Sequence, residues 1–393
     1  MSAPSIINLP PKIENIIIKI LSGVDTNKWV DSAIQLSSKY RLNRNIQDSY
    51  DDVFLEKAND VLGYLALRTP ATYAQLYGAM YHITEVIPSW KPISILDIGS
   101  GPGTAVWAAS NIWPSINNIT CLEKNSNFSK IGKKILQSSL PKSVNLDWRT
   151  VDLSVSKPTL NTKFDLVTIG SVLNEMVGKQ RNDILEFAYN HCQGLLLVVE
   201  PGTPYGFKAV KQASTLLHSH KGTLIAPYID NSLVLSDQEQ IGFAQRIIRP
   251  EFHRRIRQIQ RKLNNPDGKR VLPASDWEKA KYSYVAMSTL PSEISPYARL
   301  IAKPKKSKLY IELKILTKNG VETQRVLRRD KSNYKFAKKL KWGDLLMPNY
   351  ASCQDWGPLC NDVRTNYQAQ YMQKHLQLIN LKNHYIGTVL VAF

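Results

Sequence analysis

Along the first 90 positions apolar residues recur at helical spacing: Ile13, Ile16, Ile17, Ile20 and Leu21, then Leu55, Ala58, Val61, Leu62 and Leu65. That spacing predicts amphipathic helices. Pro70 marks the opening of another, with Thr69 as its N-cap. From residue 92 the pattern changes to short apolar runs separated by helical stretches. The runs at 93–99, 118–124, 145–152, 164–171 and 194–202 predict five strands. Continuous apolar runs alternating with helices are the mark of a parallel sheet covered on both faces. The expectation is an α/β, doubly wound, Rossmann-like domain.

After Gly206 the alternation weakens. Residues 243–263 read as one strongly basic helix, started or interrupted by Pro250, and 282–287 as one more strand. Residues 309–329 alternate with period two around Asn319-Gly320, which predicts a β-hairpin. The expected division is an N-terminal helical region over 1–90, the α/β domain over 91–290, a basic hairpin region over 291–345 and a tail over 346–393.

Composition narrows the class. A chain of 393 residues with 43% hydrophobic and 21% charged residues is long enough for a sizeable core. No apolar run approaches the roughly 20 residues that span a bilayer, and no membrane partner is expected. Cys121, Cys192, Cys353 and Cys360 are too few and too scattered for a disulfide framework, so a reducing compartment is expected. The first 40 residues lack arginine and include Glu14 and Asp25, which argues against a secretory signal or an arginine-rich presequence. A cytoplasmic monomer is expected, with the mitochondrial matrix as the alternative location.

Charge changes the picture most. The formal net charge is +19, and residues 241–345 hold 26 Lys/Arg against 9 Asp/Glu. Excess confined to about a quarter of the chain implies a polyanionic partner. On 243–263, Arg254, Arg255, Arg257, Arg261 and Lys262 repel one another at helical spacing unless an anion neutralises them. A second cluster holds Lys303, Lys305, Lys306 and Lys308 with Arg325, Arg328 and Arg329; a third holds Lys335, Lys338, Lys339 and Lys341. Tyr282, Tyr284, Tyr310, Tyr334 and Trp342 are candidates to stack on unpaired bases. RNA fits this pattern, held mainly through salt-sensitive phosphate contacts.

The most specific chemistry lies in ILDIGSGPGTA, residues 95–105. A strand ends at Asp97, and Gly99, Gly101 and Gly103 turn the chain into a helix, letting backbone approach a ligand closely. The third glycine follows the second by two positions, so the dinucleotide spacing is not matched. The arrangement resembles motif I of S-adenosylmethionine enzymes. Glu123, at the end of the second strand, can accept both ribose hydroxyls, and Asp152, closing the third, falls where such enzymes hold the adenine amino group. Asn174, in GSVLNEM, is a further candidate for the cofactor pocket, although a contact at a helix N-terminus suits it better. No proline pair with an aromatic follows the fourth strand, and Cys192 reads as a core thiol, so no residue is given a catalytic role.

ILDIGSGPGTAVWAA, LLLVVEPGTPYGF, FAQRIIRPEFHRR, KYSYVAM and YKFAKKLKWGDLL together resemble one family: methyltransferase-like assembly factors of the mitochondrial small ribosomal subunit and their bacterial relatives. The resemblance runs from about 60 to 346 and implies a class I methyltransferase fold, binding to small-subunit rRNA, and S-adenosylmethionine as cofactor. It places Asp97, Gly99, Gly101, Gly103 and Glu123 on the cofactor motif and Glu200, Pro201 and Gly202 on the fifth-strand segment. Many members carry a cysteine cluster for an iron–sulfur centre ahead of the basic helix. Residues 224–246 here hold no cysteine, so no metal and no cluster are expected. The resulting reading is an rRNA-associated, methyltransferase-fold factor in small-subunit assembly. The alternatives are an active RNA methyltransferase and a small-molecule methyltransferase with an incidental basic surface.

Overall fold

The computed structural model describes residues 4–42, 58–176, 178–220, 222–227, 240–263 and 275–347. Leu55, Cys353, Cys360, most of the cysteine-free stretch before the basic helix and nearly all of the expected tail lie outside them. The chain forms two compact units, Met1–Leu345 and Leu346–Phe393.

Four helices precede the sheet: α1 (Pro11–Ser22), α2 (Thr26–Leu42), α3 (Ala58–Leu67) and α4 (Thr69–Thr84). Helix α1 shows the logic of the apolar spacing, burying Ile13, Ile17 and Leu21 on one stripe. Helix α4 differs because it is buried on nearly every side, wedged against α5, β7 and β8. Thr69 is its first helical residue rather than its cap; Arg68 holds that position without a side-chain bond. The chain runs from α3 to α4 with little break, Arg68 N–H donating to the Tyr64 carbonyl and Thr72 N–H to that of Arg68. A turn that keeps donating helical bonds leaves a capping hydroxyl little to do.

The main sheet uses β1 (Ser94–Ile98), β2 (Asn118–Glu123), β3 (Asn145–Thr150), β4 (Phe164–Gly170) and β5 (Cys192–Pro201) in the parallel order β3–β2–β1–β4–β5. Helices α5 (Thr104–Ile112), α6 (Ser126–Ser139), α7 (Lys179–Asn190) and α8 (Pro204–His218) connect and cover these strands. Two of their caps are legible locally: Asn125 accepts from the N–H groups of Asn127 and Phe128, and Thr203 accepts from Gly206. The doubly wound α/β fold expected from the apolar runs is what forms.

The sheet continues antiparallel through β8 (Trp277–Ser288), which pairs with β5 on one edge and with β6 (Thr223–Ala226) and β7 (Phe243–Ile248) on the other. Residues 243–263 are therefore not one helix. Phe243, Gln245 and Ile247 alternate inward, which suits a strand, and the ladder to β8 satisfies their backbone. Pro250, lacking an N–H, stands just before α9 (Glu251–Leu263), and its carbonyl accepts from Arg254 N–H. Composition concealed the boundary because charge continues across it.

A second antiparallel sheet is built on β11 (Tyr310–Thr317), which pairs with β9 (Ala298–Leu300), β10 (Lys305–Lys306) and β12 (Gly320–Leu327). The hairpin turn consists of Lys318 and Asn319; Gly320, at φ 114°, already pairs with Thr317. Asn-Gly marks the hairpin but sits one residue later than the turn proper. Helix α10 (Lys331–Ala337) follows, capped by Asp330.

A buried cation ties this sheet to the core. Arg299 of β9 is 1% exposed; its guanidinium donates to Glu85 at 2.9 Å, to the Gly343 carbonyl and to the His82 carbonyl at the end of α4. His82 in turn meets the Tyr284 hydroxyl at 3.0 Å. Gly343, at φ 99°, is required there because a Cβ would stand 2.7 Å from His82 Nε2. Arg299→Met strands the Glu85 carboxylate, and truncating one partner of a buried pair costs about 3–5 kcal/mol. Chemical denaturation is expected to show that loss, and Arg299→Met/Glu85→Leu to recover part of it; equal loss in both would place the cost elsewhere.

Candidate functional site

The carboxyl ends of β1, β2, β4 and β5 lie side by side where the strand order reverses, the place at which an open α/β sheet ordinarily has its ligand crevice. After β1 the chain passes through Gly99, Gly101 and Gly103 at φ 67°, 53° and 90°, conformations open to glycine but costly for other residues. Each does something different. A Cβ on Gly99 would stand 2.3 Å from Val172 Cγ2, and one on Gly103 would press on Leu136. A Cβ on Gly101 would enter open space. This loop is stitched to the end of β2: Gly99 and Ser100 N–H donate to the Leu122 carbonyl, and Gly101 N–H donates to Glu123 Oε2 at 2.7 Å. Glu123 Oε1 accepts from Asn125 N–H at 2.8 Å. The carboxylate expected to face a ribose thus also holds the glycine loop.

Asp97 is buried, and its Oδ1 accepts from the Thr168 hydroxyl at 2.7 Å, while Oδ2 has no partner. Burial pushes this carboxyl up to about 7, against the hydrogen bond from Thr168. Glu123 is also raised by burial, with the N–H groups of Asn125 and Gly101 opposing. Asp152 lies two residues past the end of β3, half-buried, where its Oδ1 accepts from the Ser154 N–H and hydroxyl. The side-chain bond from Ser154 leads in lowering its pKa. Asn174 sits buried in a single 3-10 turn, Leu173–Glu175, with Oδ1 unpartnered.

The sequence gives no role to Glu200 beyond its family segment, yet it organises this end of the sheet. It is fully buried at the end of β5; Oε1 accepts from Val172 and Leu173 N–H at 3.1 and 2.8 Å, and Oε2 has no partner. Burial pushes it up to about 8, with Glu175 adding to the rise. By fixing Val172, Glu200 also sets the side chain that makes Gly99 obligatory. Arg181 completes the turn, donating to the carbonyls of Leu173 and Met176. Ser171, a non-glycine residue at φ 60°, carries local strain just ahead of it. An acidic residue ending an apolar strand is the signal that marks Glu200 in sequence. Arg181 and Thr168 carry none, since their roles exist only across strands.

Behind these strand ends Asp97 Oδ2, Asn174 Oδ1 and Glu200 Oε2 are buried with no hydrogen-bond partner among the described residues. Buried polar atoms of this kind cost stability unless a bound group or a local rearrangement satisfies them. Cys121 and Cys192 are buried, and burial pushes the Cys192 thiol up to about 12, so neither is a reactive thiolate. Among the described residues no group of three or more His, Cys, Asp or Glu is placed to hold a metal.

The basic side chains are exposed. Arg254, Arg255 and Arg261 on α9, Lys303, Lys305, Lys306 and Lys308, Arg325, Arg328 and Arg329, and Lys335, Lys338, Lys339 and Lys341 all face solvent. Arg257 is partly buried, and the side chain of Lys262 lies outside the described residues. The expected mutual repulsion on α9 is relieved internally: Glu278 lies 3.8 Å from both Arg249 and Arg257, and Asp276 3.4 Å from Arg254. Glu312 likewise takes Lys305 and Arg325 at 3.2 Å each. Lys306 Nζ reaches the Lys338 carbonyl at 3.4 Å, so the clusters at 303–308 and 335–341 adjoin. Of the stacking candidates, Tyr282 and Tyr284 belong to the core, whereas Tyr310, Tyr334 and Trp342 are half-buried beneath the cations of Arg325, Lys338 and Lys279.

Residues 58–347 match the family described as mitochondrial small ribosomal subunit Rsm22. The chain is 24% identical over 411 aligned residues to the mitochondrial Rsm22-cox11 tandem protein 2 of Schizosaccharomyces pombe, covering 89% of this chain and 52% of that protein. It is 27% identical over 162 residues to the mitochondrial ribosome assembly protein METTL17 of Homo sapiens, covering 40% of this chain and 35% of that one. The chain thus spans about half the length, or less, of these relatives. Among solved structures, a putative RNA methyltransferase from Pyrococcus horikoshii is 13% identical, with 66% of this chain and 98% of that one covered at a TM-score of 0.35. The magnesium protoporphyrin IX methyltransferase of Synechocystis is 11% identical, with 48% and 81% covered at 0.31.

Glu200 gives a pH test. Its pKa in the fold, about 8, lies above its ordinary 4.5, so the folded chain holds this proton more tightly than the unfolded one. Its stabilising contribution is complete below about 4.5 and is lost as pH rises through about 8. Glu200→Gln keeps an acceptor for Val172 and Leu173 without a charge. Calorimetry should show a flatter decline of Tm across that window than in the parent chain. A decline of unchanged slope would assign the effect to another group.

Proposed function

The chain belongs to the Rsm22 family of the mitochondrial small ribosomal subunit, and we propose that it is an rRNA-binding, methyltransferase-fold factor acting in assembly of that subunit. The observation that carries this reading is the reach of the family match. Residues 58–347 contain both the glycine loop with its buried carboxyls and the exposed basic side chains. The named relatives are mitochondrial proteins, one a ribosome assembly protein, which favours the mitochondrial alternative over the cytoplasmic expectation.

In this reading the basic surface holds rRNA through phosphates, and the crevice holds S-adenosylmethionine. The residues fit that cofactor. Its sulfonium and ammonium groups are cationic and its ribose and adenine supply donors, which suits the buried carboxyls of Asp97, Glu123 and Glu200, the first and last of which each keep an oxygen without a partner among the described residues. Gly101 leaves room beside the loop, and Asp152 and Asn174 border the same strand ends. When bound, the cofactor would supply an electrophilic methyl group. The chain's own residues bind and orient it, and none is assigned a part in transferring the methyl.

Two measurements test the reading. In calorimetric titration the full chain should bind S-adenosylmethionine. Gly101→Val, which strains the loop at φ 53° and puts a side chain into the open space beside it, should weaken binding at least about tenfold, with Tm measured on the same variant to separate lost binding from lost fold. Equal binding by the variant, or none by the parent, would remove the cofactor from the proposal. Crosslinking the full chain to RNA in cells should recover small-subunit rRNA above all else. Recovery spread evenly over messenger and transfer RNA would exclude a dedicated role in subunit assembly.

A further inference from the structure

The strand β8 starts beyond the end of its neighbour. Tyr282 pairs with Pro201, the last residue of β5, so Trp277–Lys281 continue past the carboxyl ends of the parallel strands, on the side where the crevice lies. Strand β7 pairs with this overhang throughout, placing Arg246 opposite Lys279, Ala244 opposite Lys281 and Ile248 opposite Trp277. One face of the two-stranded extension is core, with Phe243, Ile247, Ala280 and Tyr282 buried. The other exposes Arg246, Trp277, Lys279 and Lys281.

That face is cationic without an acidic partner among the described residues. Like charges directly opposite on neighbouring strands are destabilising, yet Arg246 and Lys279 stand so. Among the described residues no carboxylate lies within ion-pair distance of Arg246, Lys279, Lys281 or Lys303, in contrast to α9 with Glu278 and Asp276. Burial, then the charges of Lys281, Lys303 and Arg246, lower the pKa of Lys279. The same face is also flat and aromatic. The Arg246 guanidinium lies 4.5 Å from the Trp277 ring and Lys279 Nζ 4.4 Å from the Trp342 ring. Trp342 is anchored by its Nε1–H to the Gly242 carbonyl. The platform also touches the crevice rim: Gly202 N–H donates to the Lys281 carbonyl at 2.9 Å, and a Cβ on Gly202 would stand 2.7 Å from that of Lys281.

We propose that the exposed face of the β7–β8 extension, with Arg246, Trp277, Lys279, Lys281 and the adjoining Lys303 and Trp342, is a binding platform for single-stranded RNA that leads an unpaired segment to the mouth of the crevice. Its phosphates neutralise the crowded cations, and its bases stack on the Trp277–Arg246 plane, which reads no particular sequence. The inference rests on the RNA-binding reading above and names which surface performs it.

The test uses the full chain and a fluorescent 12-nucleotide oligouridine, with an abasic oligomer of equal length beside it. Lys279→Gln/Lys281→Gln should lower affinity at least tenfold and reduce the salt slope by about 1.4, since each lost phosphate contact on a single strand removes about 0.7. Lys133→Gln/Lys134→Gln, which removes the same charge from exposed positions on α6, should bind as the parent does. Trp277→Ala should weaken oligouridine roughly fivefold to a hundredfold and leave the abasic oligomer unchanged. Equal loss in the two lysine pairs would overturn the platform while RNA binding itself stands, and a silent Trp277→Ala would overturn the stacking. Failure of the parent chain to bind any RNA would overturn the underlying reading as well. Loss of binding to phosphatidylserine vesicles, with oligouridine binding kept, would reassign the surface to a membrane.

Discussion

Carboxyl groups buried at the ends of parallel strands, accepting hydrogen bonds from neighbouring loops and strands, hold this end of the sheet in shape. Glu123 fixes the glycine loop through Gly101, and Glu200 fixes the turn after β4 through Val172 and Leu173. Asp97 is held from the next strand by Thr168. A hydrogen bond to a charged group contributes about 1.5–3 kcal/mol, but here desolvation opposes it, and all three carboxyls are raised above their ordinary values. Stability alone would favour apolar residues at these positions. Their hydrogen bonds to the glycine loop and to the turn after β4 are what they contribute in return.

The same carboxylates couple parts of the site that are distant in sequence. Glu200 places Val172, and Val172 occupies the space that forbids a side chain at Gly99. The glycine loop and the turn after β4 are therefore one mechanical unit, although about 70 residues separate them. Around this unit the outer surface reverses sign. Acidic groups lie inside the strand ends, and basic groups face solvent on α9, on the second sheet and on the β7–β8 extension.

Charge on that outer surface is not uniform in kind. On α9 and around β11 the cations are partly answered by Glu278, Asp276 and Glu312, which makes them structural as well as available. On the β7–β8 overhang they are not, and aromatic rings lie among them. A count of Lys and Arg weights both regions equally. Only pairing separates a charge that supports the fold from one that awaits a partner.

The order of elements was legible in the chain itself. Apolar runs at 93–99, 118–124, 164–171 and 194–202 bury on both faces of a parallel sheet, and that period does not depend on context. The glycine loop was legible because a sharp turn at a strand end needs glycine locally, and Asp97 and Glu123 were picked out by the motif they resemble. Tertiary structure decided the rest. Residues 243–248 became a strand because β8 offered a ladder, whatever their charge suggested about a helix. Glu200, Thr168, Arg181 and the buried Arg299 acquired their roles from partners tens to hundreds of residues away. Local propensity and periodicity are properties of a segment, whereas burial and pairing belong to the groups brought against it.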